Sequence, residues 1–428
     1  MNNWHKDAKL GIFIHYGIYA VNGIAESWSF YNGRISHEDY MKQLDGFTAS
    51  KFDAEEWADL IEKSGAKYAV LTTKHHDGVA LFDTKYSDLN VVKKTPAKRD
   101  IVKEFYEAIQ KRGLRSGVYY SLIDWSHPDY ASVYEGGKVP EDLSTVNKFS
   151  SPTDGVQDLE KWNRFLEFNN NQLGELLTNY GKIDLLWFDG DWERSAEQWG
   201  LPQFKEYLQS FNKDIIINSR LAGHGDYKTP EQGIPITRPE GNWEFCTTIN
   251  SSWGYQHTDH DYKSLKQILR MFVDCISMGG NMLLDIGPME DGTVPQEQVD
   301  ILLGLGKWIR EHEEAIYGTE DGIMQRYWAG GSTLSKDKKT LYLFVHDTPQ
   351  ESVCLKGLST PIKRISVLHS GKELTHVVHG GVPWFNIPGT TWINISPEDA
   401  HEHITVIKVE LEDEIDMYGG SGAVVTHN

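Results

Sequence analysis

The sequence predicts an α/β protein with a (β/α)8-type barrel followed by an antiparallel β-sandwich, and three observations carry that reading. A helical segment that ends in glycine hands over within two residues to a β-rich run three times, in IEKSGAKYAVLTT, IQKRGLRSGVYYS and LTNYGKIDLLWFD. Seven candidate strands alternate with helices up to about residue 287, which favours a closed parallel barrel over an open sheet. After about Thr319 the runs become short, alternate in polarity and are broken by Gly, Pro, Asn and Asp, as in antiparallel β domains.

The elements follow in order. The candidate barrel strands are LGIFIHYG, KYAVLTT, RSGVYYS, IDLLWFD, DIIINSR, WEFCTTI and NMLLDIG. Their β-branched and aromatic content suits strands buried on both faces, and the glycine before KYAVLTT, RSGVYYS and IDLLWFD suits the left-handed residue that closes a helix. Asp53 is placed to cap the first helix, with Trp57 and Ile61 on one face; Asp100 is placed to cap the second, where Ile101, Phe105 and Ile109 repeat at helical spacing. Further helices are expected in LEKWNRFLEFNNNQLGELL, YKSLKQILRMFVDCIS and QVDILLGLGKWIREHEEAI. TLYLFVHD, KRISVLHSG, TWINISP and HITVIKVELED are the strands of the second domain. The expected division is 1–319 for the barrel, 320–415 for the sandwich and 416–428 for a loose tail without periodicity.

Composition narrows the function. The chain has 428 residues, 39% hydrophobic and 24% charged, as in soluble globular proteins. A formal charge of −20 argues against a nucleic-acid partner, whose phosphates are bound by excess basic residues. Cys246, Cys275 and Cys354 form neither a disulfide framework nor a metal-ligand pattern. With an N-terminus lacking a signal-peptide core and no apolar run long enough for a bilayer, a cytoplasmic location without membrane partner is expected, although a trimmed secreted chain would look alike. There is no dinucleotide fingerprint and no phosphate loop, so no cofactor is expected. Fourteen tryptophans and 20 tyrosines fit stacking on sugars, although aromatics more often fill cores.

Active sites of such barrels gather at the C-terminal ends of strands, and strand alternation assigns faces. Trp187 and Asp189 share one face of IDLLWFD, Phe13 goes with His15, and Asn242 and Glu244 go with Cys246. Each has a plainer reading: Asp189 before Gly190 as a turn residue, His15 as a satisfied core histidine, Glu244 as a solvated edge residue. His75 and His76, directly after a strand, suggest ligand contacts or a metal; no His-x-His triplet lies on a barrel strand, and no metal is expected. His401-Glu402-His403, in the second domain, reads as a solvated strand face.

These residues carry a resemblance. LGIFIHYG, Glu26-Ser27-Trp28, KYAVLTTKHHDG, GVYYS, LLWFDGDWE, NWEFCTTINSSWGY, GGNMLLDIGPMEDGTVP and EAIYGT follow one another in order across the barrel region, and the chain resembles the α-L-fucosidases of glycoside hydrolase family 29. That resemblance implies a barrel with a C-terminal β-sandwich and an exo-acting, retaining hydrolase of fucosylated glycans or glycosides, working by double displacement. Asp189 matches the family nucleophile. For the general acid and base, Glu231, Glu240 and Glu244 come into question; Glu244 matches the family position, whereas Glu231 and Glu240 lie among Gly and Pro in backbone expected to be poorly fixed unless braced. His15, His75 and His76 resemble the histidines that bind fucose hydroxyls. Phe13, Trp187 and Tyr120 resemble pocket-lining residues, and Glu26 and Trp28 match with Ser27 intervening. A barrel glycosidase acting on galactosides and a non-catalytic sugar-binding protein are the alternatives; the oligomeric state is left open.

Overall fold

A computed structural model describes residues 4–422 of the chain. Seven parallel strands form the first sheet: β1 (Leu10–Ile14), β2 (Tyr68–Lys74), β3 (Arg115–Ser121), β4 (Leu185–Asp189), β5 (Ile216–Ile217), β6 (Glu244–Thr248) and β7 (Asn281–Ile286), in the order β5-β4-β3-β2-β1-β7-β6. The register shows how the sequence is read by the barrel. Phe13, Val70, Gly117, Leu185 and Ile216 pair successively across β1 to β5, and all but the glycine have side chains in the interior cluster. One residue further on, Ile14, Leu71, Val118, Leu186 and Ile217 pair in the same way and point outward into the core shared with the helices. Strands apolar at every position are therefore required, each such side chain contributing roughly 1.5–3 kcal/mol on burial.

The helices are capped as their sequences predict. The Asp53 carboxylate accepts from the backbone N–H groups of Glu55 and Glu56 at the start of Ala54–Lys63, and Asp100 accepts from Lys103 at the start of Ile101–Lys111. Asp158 does the same for Leu159–Asn179, and Ser264 with Gln267 forms a full capping box on Leu265–Ser277. Each cap stabilises its helix by about 1 kcal/mol.

The expected strand DIIINSR shrinks to two residues. Asn218 ends it: its side-chain amide donates to the Phe188 carbonyl at 2.8 Å and accepts from the Phe188 N–H at 2.9 Å, replacing the backbone pairing with β4 while the main chain turns away. The eighth position of the barrel is then filled by an irregular extended segment. Tyr227 bridges to Asn218 on one side, and Lys228 and Glu231 bridge to Trp243 and Cys246 on the other, all in parallel sense.

The second domain holds a five-stranded antiparallel sheet, β8 (Thr319–Asp321), β9 (Ser332–Ser335), β10 (Thr340–Val345), β12 (Ile362–Val367) and β15 (Thr405–Leu411), and a three-stranded sheet of β11 (Ser352–Leu355), β13 (His376–His379) and β14 (Thr390–Asn394). Leu341, Leu343, Ile407 and Val409 fill the core with the second sheet. Their alternating neighbours Tyr342, Phe344 and Val406 belong to the barrel's outer core, where the Trp308 indole N–H donates to the Ile404 carbonyl at 3.0 Å. The beginning of the expected tail is docked: Ser359 N–H donates to Asp416 and Tyr418 N–H to Gly357, because backbone pairing continues where side-chain periodicity stops. Residues 423–428 of that expected tail lie outside the described residues. No helix among the described residues is long and apolar enough to cross a membrane.

Candidate active site

A cavity of about 310 Å³ opens at the C-terminal end of the barrel strands, lined by Phe13, His15, Glu26, Trp28, His75, Tyr119, Trp187, Asp189, Trp192, Arg220, Glu231 and Trp253. Asp189 is the last residue of β4, followed by Gly190 in the left-handed conformation at φ 87°. An added Cβ there would also strike Ile123 at 2.5 Å, so the turn that ends the strand depends on glycine. The carboxylate is fixed on both oxygens: Oδ1 accepts from Arg220 Nη1 at 2.6 Å, and Oδ2 accepts from the Tyr119 hydroxyl at 3.0 Å. The other terminal nitrogen of Arg220 donates to Glu231. Burial works against the guanidinium's charge, but Asp189 and Glu231 outweigh it and raise its pKa further above the usual range. One partly buried arginine thus ties two carboxylates together at the mouth.

Three histidines face them, each held through Nδ1. His15 Nδ1 lies 2.6 Å from Asp285 Oδ1, His75 Nδ1 2.6 Å from Ser27 Oγ, and His76 Nδ1 2.5 Å from Ser121 Oγ. The Ser121 hydroxyl donates to the Ile123 carbonyl at 2.6 Å. Its oxygen therefore accepts from His76 Nδ1–H, and His76 Nε2 is left as a bare acceptor, 3.6 Å from Asp189 Oδ2. Burial lowers the pKa of all three rings, that of His15 and His75 well below the usual value and that of His76, with Lys74 adding to the effect, to about 3. They are neutral imidazoles at physiological pH, able to donate and accept toward hydroxyl groups. Glu26 accepts from Gly254 N–H at 2.6 Å, and burial, partly offset by that bond, raises its pKa. Apolar surface comes from Phe13, Trp187 and Trp253, with Phe13 and Trp187 rings 5.0 Å apart.

Of the expected site residues, Phe13, His15, Glu26, Trp28, His75, Trp187 and Asp189 line this cavity, and His76 lies beneath Asp189. Two do not belong to it. Tyr120 points outward: its hydroxyl is 2.9 Å from both Asn169 Oδ1 and Gln172 Oε1 on the helix Leu159–Asn179. Tyr119 takes the inward place because it pairs with inward-facing Trp187. Glu244 does face the barrel axis, but it is the first residue of β6, at the end opposite the mouth, and is fully buried. Its carboxylate lies at 2.5 Å from the Tyr68 hydroxyl, 3.2 Å from His5 Nε2, 3.0 Å from Trp187 Nε1 and 3.4 Å from the Tyr227 hydroxyl. Of Glu231, Glu240 and Glu244, it is Glu231 that lines the cavity.

Arg220, Tyr119, Trp192 and Trp253 were not expected. Arg220 had a signal: Ile216, Asn218 and Arg220 share one strand parity in DIIINSR, so an arginine at that strand's end falls on the inward side. The Gly- and Pro-rich surroundings of Glu231 predict poorly fixed backbone, yet the bracing is present. Glu244 N–H donates to Lys228, Cys246 N–H to Pro230 and Gln232 N–H to Cys246, at 2.8, 3.1 and 2.9 Å.

The sequence matches the profile of the Alpha-L-fucosidase family over residues 1–314. An Alpha-L-fucosidase of Dictyostelium discoideum is 32% identical over 399 residues, covering 84% of this chain and 80% of that one, and the tissue alpha-L-fucosidase of Homo sapiens is 32% identical over 390 residues, covering 84% and 78%. Among solved structures, alpha-L-fucosidase isoenzyme 1 from Paenibacillus thiaminolyticus superposes with a TM-score of 0.84 at 34% identity, covering 96% and 98% of the two chains. A family 29 alpha-L-fucosidase from Bacteroides thetaiotaomicron, solved as a trapped covalent intermediate with 2-fluoro-fucosyl fluoride, gives 0.80 at 28% identity, covering 95% of each. With its barrel, its β domain and a pocket of carboxylates, histidines and aromatic rings, the chain belongs to the α-L-fucosidase family of glycoside hydrolases.

Proposed function

We propose that the protein releases terminal α-L-fucosyl residues from fucosylated glycans or glycosides with retention of configuration, using Asp189 as nucleophile and Glu231 as general acid and base. The observation that carries the reading is the single guanidinium of Arg220 shared by both carboxylates at the cavity. In the first displacement an Asp189 oxygen bonds to the anomeric carbon, the glycosidic C–O bond breaks, and Glu231 gives its proton to the departing oxygen. In the second, Glu231 takes a proton from water, whose oxygen replaces Asp189 at the anomeric carbon. Negative charge thus moves from Asp189 to Glu231 and back. Arg220 touches both sites and so balances the charge in every state without moving.

The neutral histidines suit the glycone: His76 Nε2 offers an acceptor, and His15 and His75 complete the polar side of the pocket. Phe13, Trp187 and Trp253 give an apolar wall against which a methyl group packs and an extra hydroxyl finds no partner, although selection by a single group of this kind is limited to about 10–200-fold. Proton NMR of the first-formed sugar tests the assignment: α-L-fucose appearing first supports double displacement, and β-L-fucose appearing first refutes it.

A further inference from the structure

We propose that His75, His76 and Asp189 also form a site for divalent ions of the Zn²⁺ and Cu²⁺ class, which therefore inhibit the enzyme by competing with the fucoside. A nitrogen of each histidine and a carboxylate oxygen of Asp189 lie within 4.8 Å of one another, and all three residues are buried. Two imidazoles and a carboxylate with a fourth direction open to a cavity is the donor set of an exchangeable zinc site. The lone pair needed from His76 is already exposed to the site: Ser121 holds Nδ1–H, and the buried Nε2 has no hydrogen-bond partner. His75 is also engaged through Nδ1, 2.6 Å from Ser27 Oγ. Fixing one ring nitrogen so that the other meets the metal is how ligating histidines are oriented.

The distances set the strength. Tetrahedral zinc with ligands at about 2.0–2.2 Å separates ligand atoms by roughly 3.3–3.5 Å. His76 Nε2 and Asp189 Oδ2, at 3.6 Å, already meet that spacing, and a nitrogen of His75 lies within 4.8 Å of both residues' ligand atoms. Two features oppose the ion. Tyr119 must give up or share Oδ2, and Arg220 already places a positive charge on Oδ1. The ion is therefore a reversible occupant that blocks the nucleophile, and nitrogen ligands select it over Mg²⁺ and Ca²⁺, which prefer all-oxygen shells.

Competition with substrate rests on the fucoside reading of the cavity; the metal site itself does not. Isothermal titration of chelator-treated protein with Zn²⁺, alone and with saturating L-fucose, is paired with aryl-fucoside kinetics in zinc-buffered solution. The expected result is a pocket-bound Zn²⁺ that L-fucose displaces, with KM rising in proportion to free Zn²⁺ at constant kcat, and no effect of Mg²⁺ in large excess. His76→Gln should lose the ion. A double variant, His369→Gln with His401→Gln, controls for the imidazole cluster of the second domain, where the His312, His369 and His401 rings stand 5.2–5.9 Å apart, and should retain it. Zn²⁺ binding that ignores L-fucose, survives His76→Gln or vanishes in the double variant overturns the proposal, as does absence of binding. If His76→Gln fails to fold, the fucose competition in the unaltered protein decides. Zn²⁺ binding lost in His76→Gln, together with no binding of L-fucose, would keep the metal site and sink the fucoside reading instead.

Discussion

The barrel interior carries a buried carboxylate at each end, and the two are treated oppositely. At the mouth, Asp189 is paired with Arg220, bonded by Tyr119 and left facing a cavity with Glu231 beside it. At the floor, Glu244 is fully enclosed and surrounded by Tyr68, His5, Trp187 and Tyr227. Trp187 connects the ends, since its ring lines the cavity while its indole N–H reaches down to Glu244. A carboxylate whose acceptor capacity is filled by donors has nothing left for a substrate; one held by a single cation and a hydroxyl, with open space beside it, does. What separates a reactive acid from a structural one is unfilled access, more than residue type or burial.

The sharpest break of that contrast is at the mouth. Asp189→Ala should lower turnover by roughly 10⁴- to 10⁶-fold with the fold intact, as nucleophile deletions do. A folded variant retaining a hundredth of wild-type turnover on an aryl fucoside would remove Asp189 from the role. Glu231→Ala should cost about 10²- to 10⁴-fold on sugar leaving groups and far less on nitrophenol, which departs without protonation. Azide should then restore the second step by attacking the β-linked fucosyl enzyme from the face opposite Asp189, which releases the Asp189 carboxylate and yields α-fucosyl azide. Equal slowing of both substrate types without azide rescue would exclude Glu231.

At the floor the loss should appear in stability. Glu244→Ala strands several buried donors, each costing about 1–3 kcal/mol, so a fall of roughly 3–5 kcal/mol is expected in denaturant unfolding, while leaving-group dependence stays unchanged. If Glu244→Ala instead slows poor leaving groups selectively and azide rescues it, the two ends have been assigned the wrong way round.

Acid should weaken the folded protein. His15, His75, His76, His312 and His346 have pKa values depressed chiefly by burial, to about 3 for His76 and about 4 for His312 and His346. Below about pH 6.5 the unfolded chain binds protons that these rings in the folded chain refuse, so their contribution is lost as pH falls, by about 1.4 kcal/mol per ring per unit. Burial also lowers His37, His127, His369 and His403, and it raises Glu26, Asp77 (to about 6), Asp100, Asp191, Asp274 and Asp285, which act in the opposite sense between their unfolded and folded values. The nine histidines outnumber the six carboxyls, and midpoint denaturant concentration should drop between about pH 6.5 and 4.5; a rise would contradict the neutral-imidazole pocket. The smallest effect belongs to Tyr120→Phe, which removes a bond to the helix Leu159–Asn179 and should cost about 1 kcal/mol of stability with KM unchanged. Tyr119→Phe should instead lower kcat.

These contrasts also show what the sequence could and could not reveal. Alternation assigns faces correctly in β1, β4 and β6: Phe13, Trp187, Asp189 and Glu244 all point inward. It carries no information about height along the axis, and Glu244 was misplaced for that reason, since WEFCTT starts its strand where LLWFD finishes. Tyr120 was an error of parity between adjacent tyrosines, correctable from the pairing of Tyr119 with Trp187 but not from VYYS alone. Glu231 was out of reach for another reason. Its segment is ordered by long-range bridges to β6, and such partners leave no local periodicity to read.

The five-stranded sheet, apolar on both faces, makes the limit at Thr319 a landmark in the chain and not in its unfolding. Phe344 and Val406 complete the layer around Trp308, so removing the second domain would bare hydrophobic surface on the barrel's helices. Calorimetry should show one endotherm for both parts, and a shortened chain ending near residue 319 should come out of expression as aggregate: a module that supplies no residue to the lining of the cavity would be needed for the catalyst to exist as a dispersed protein.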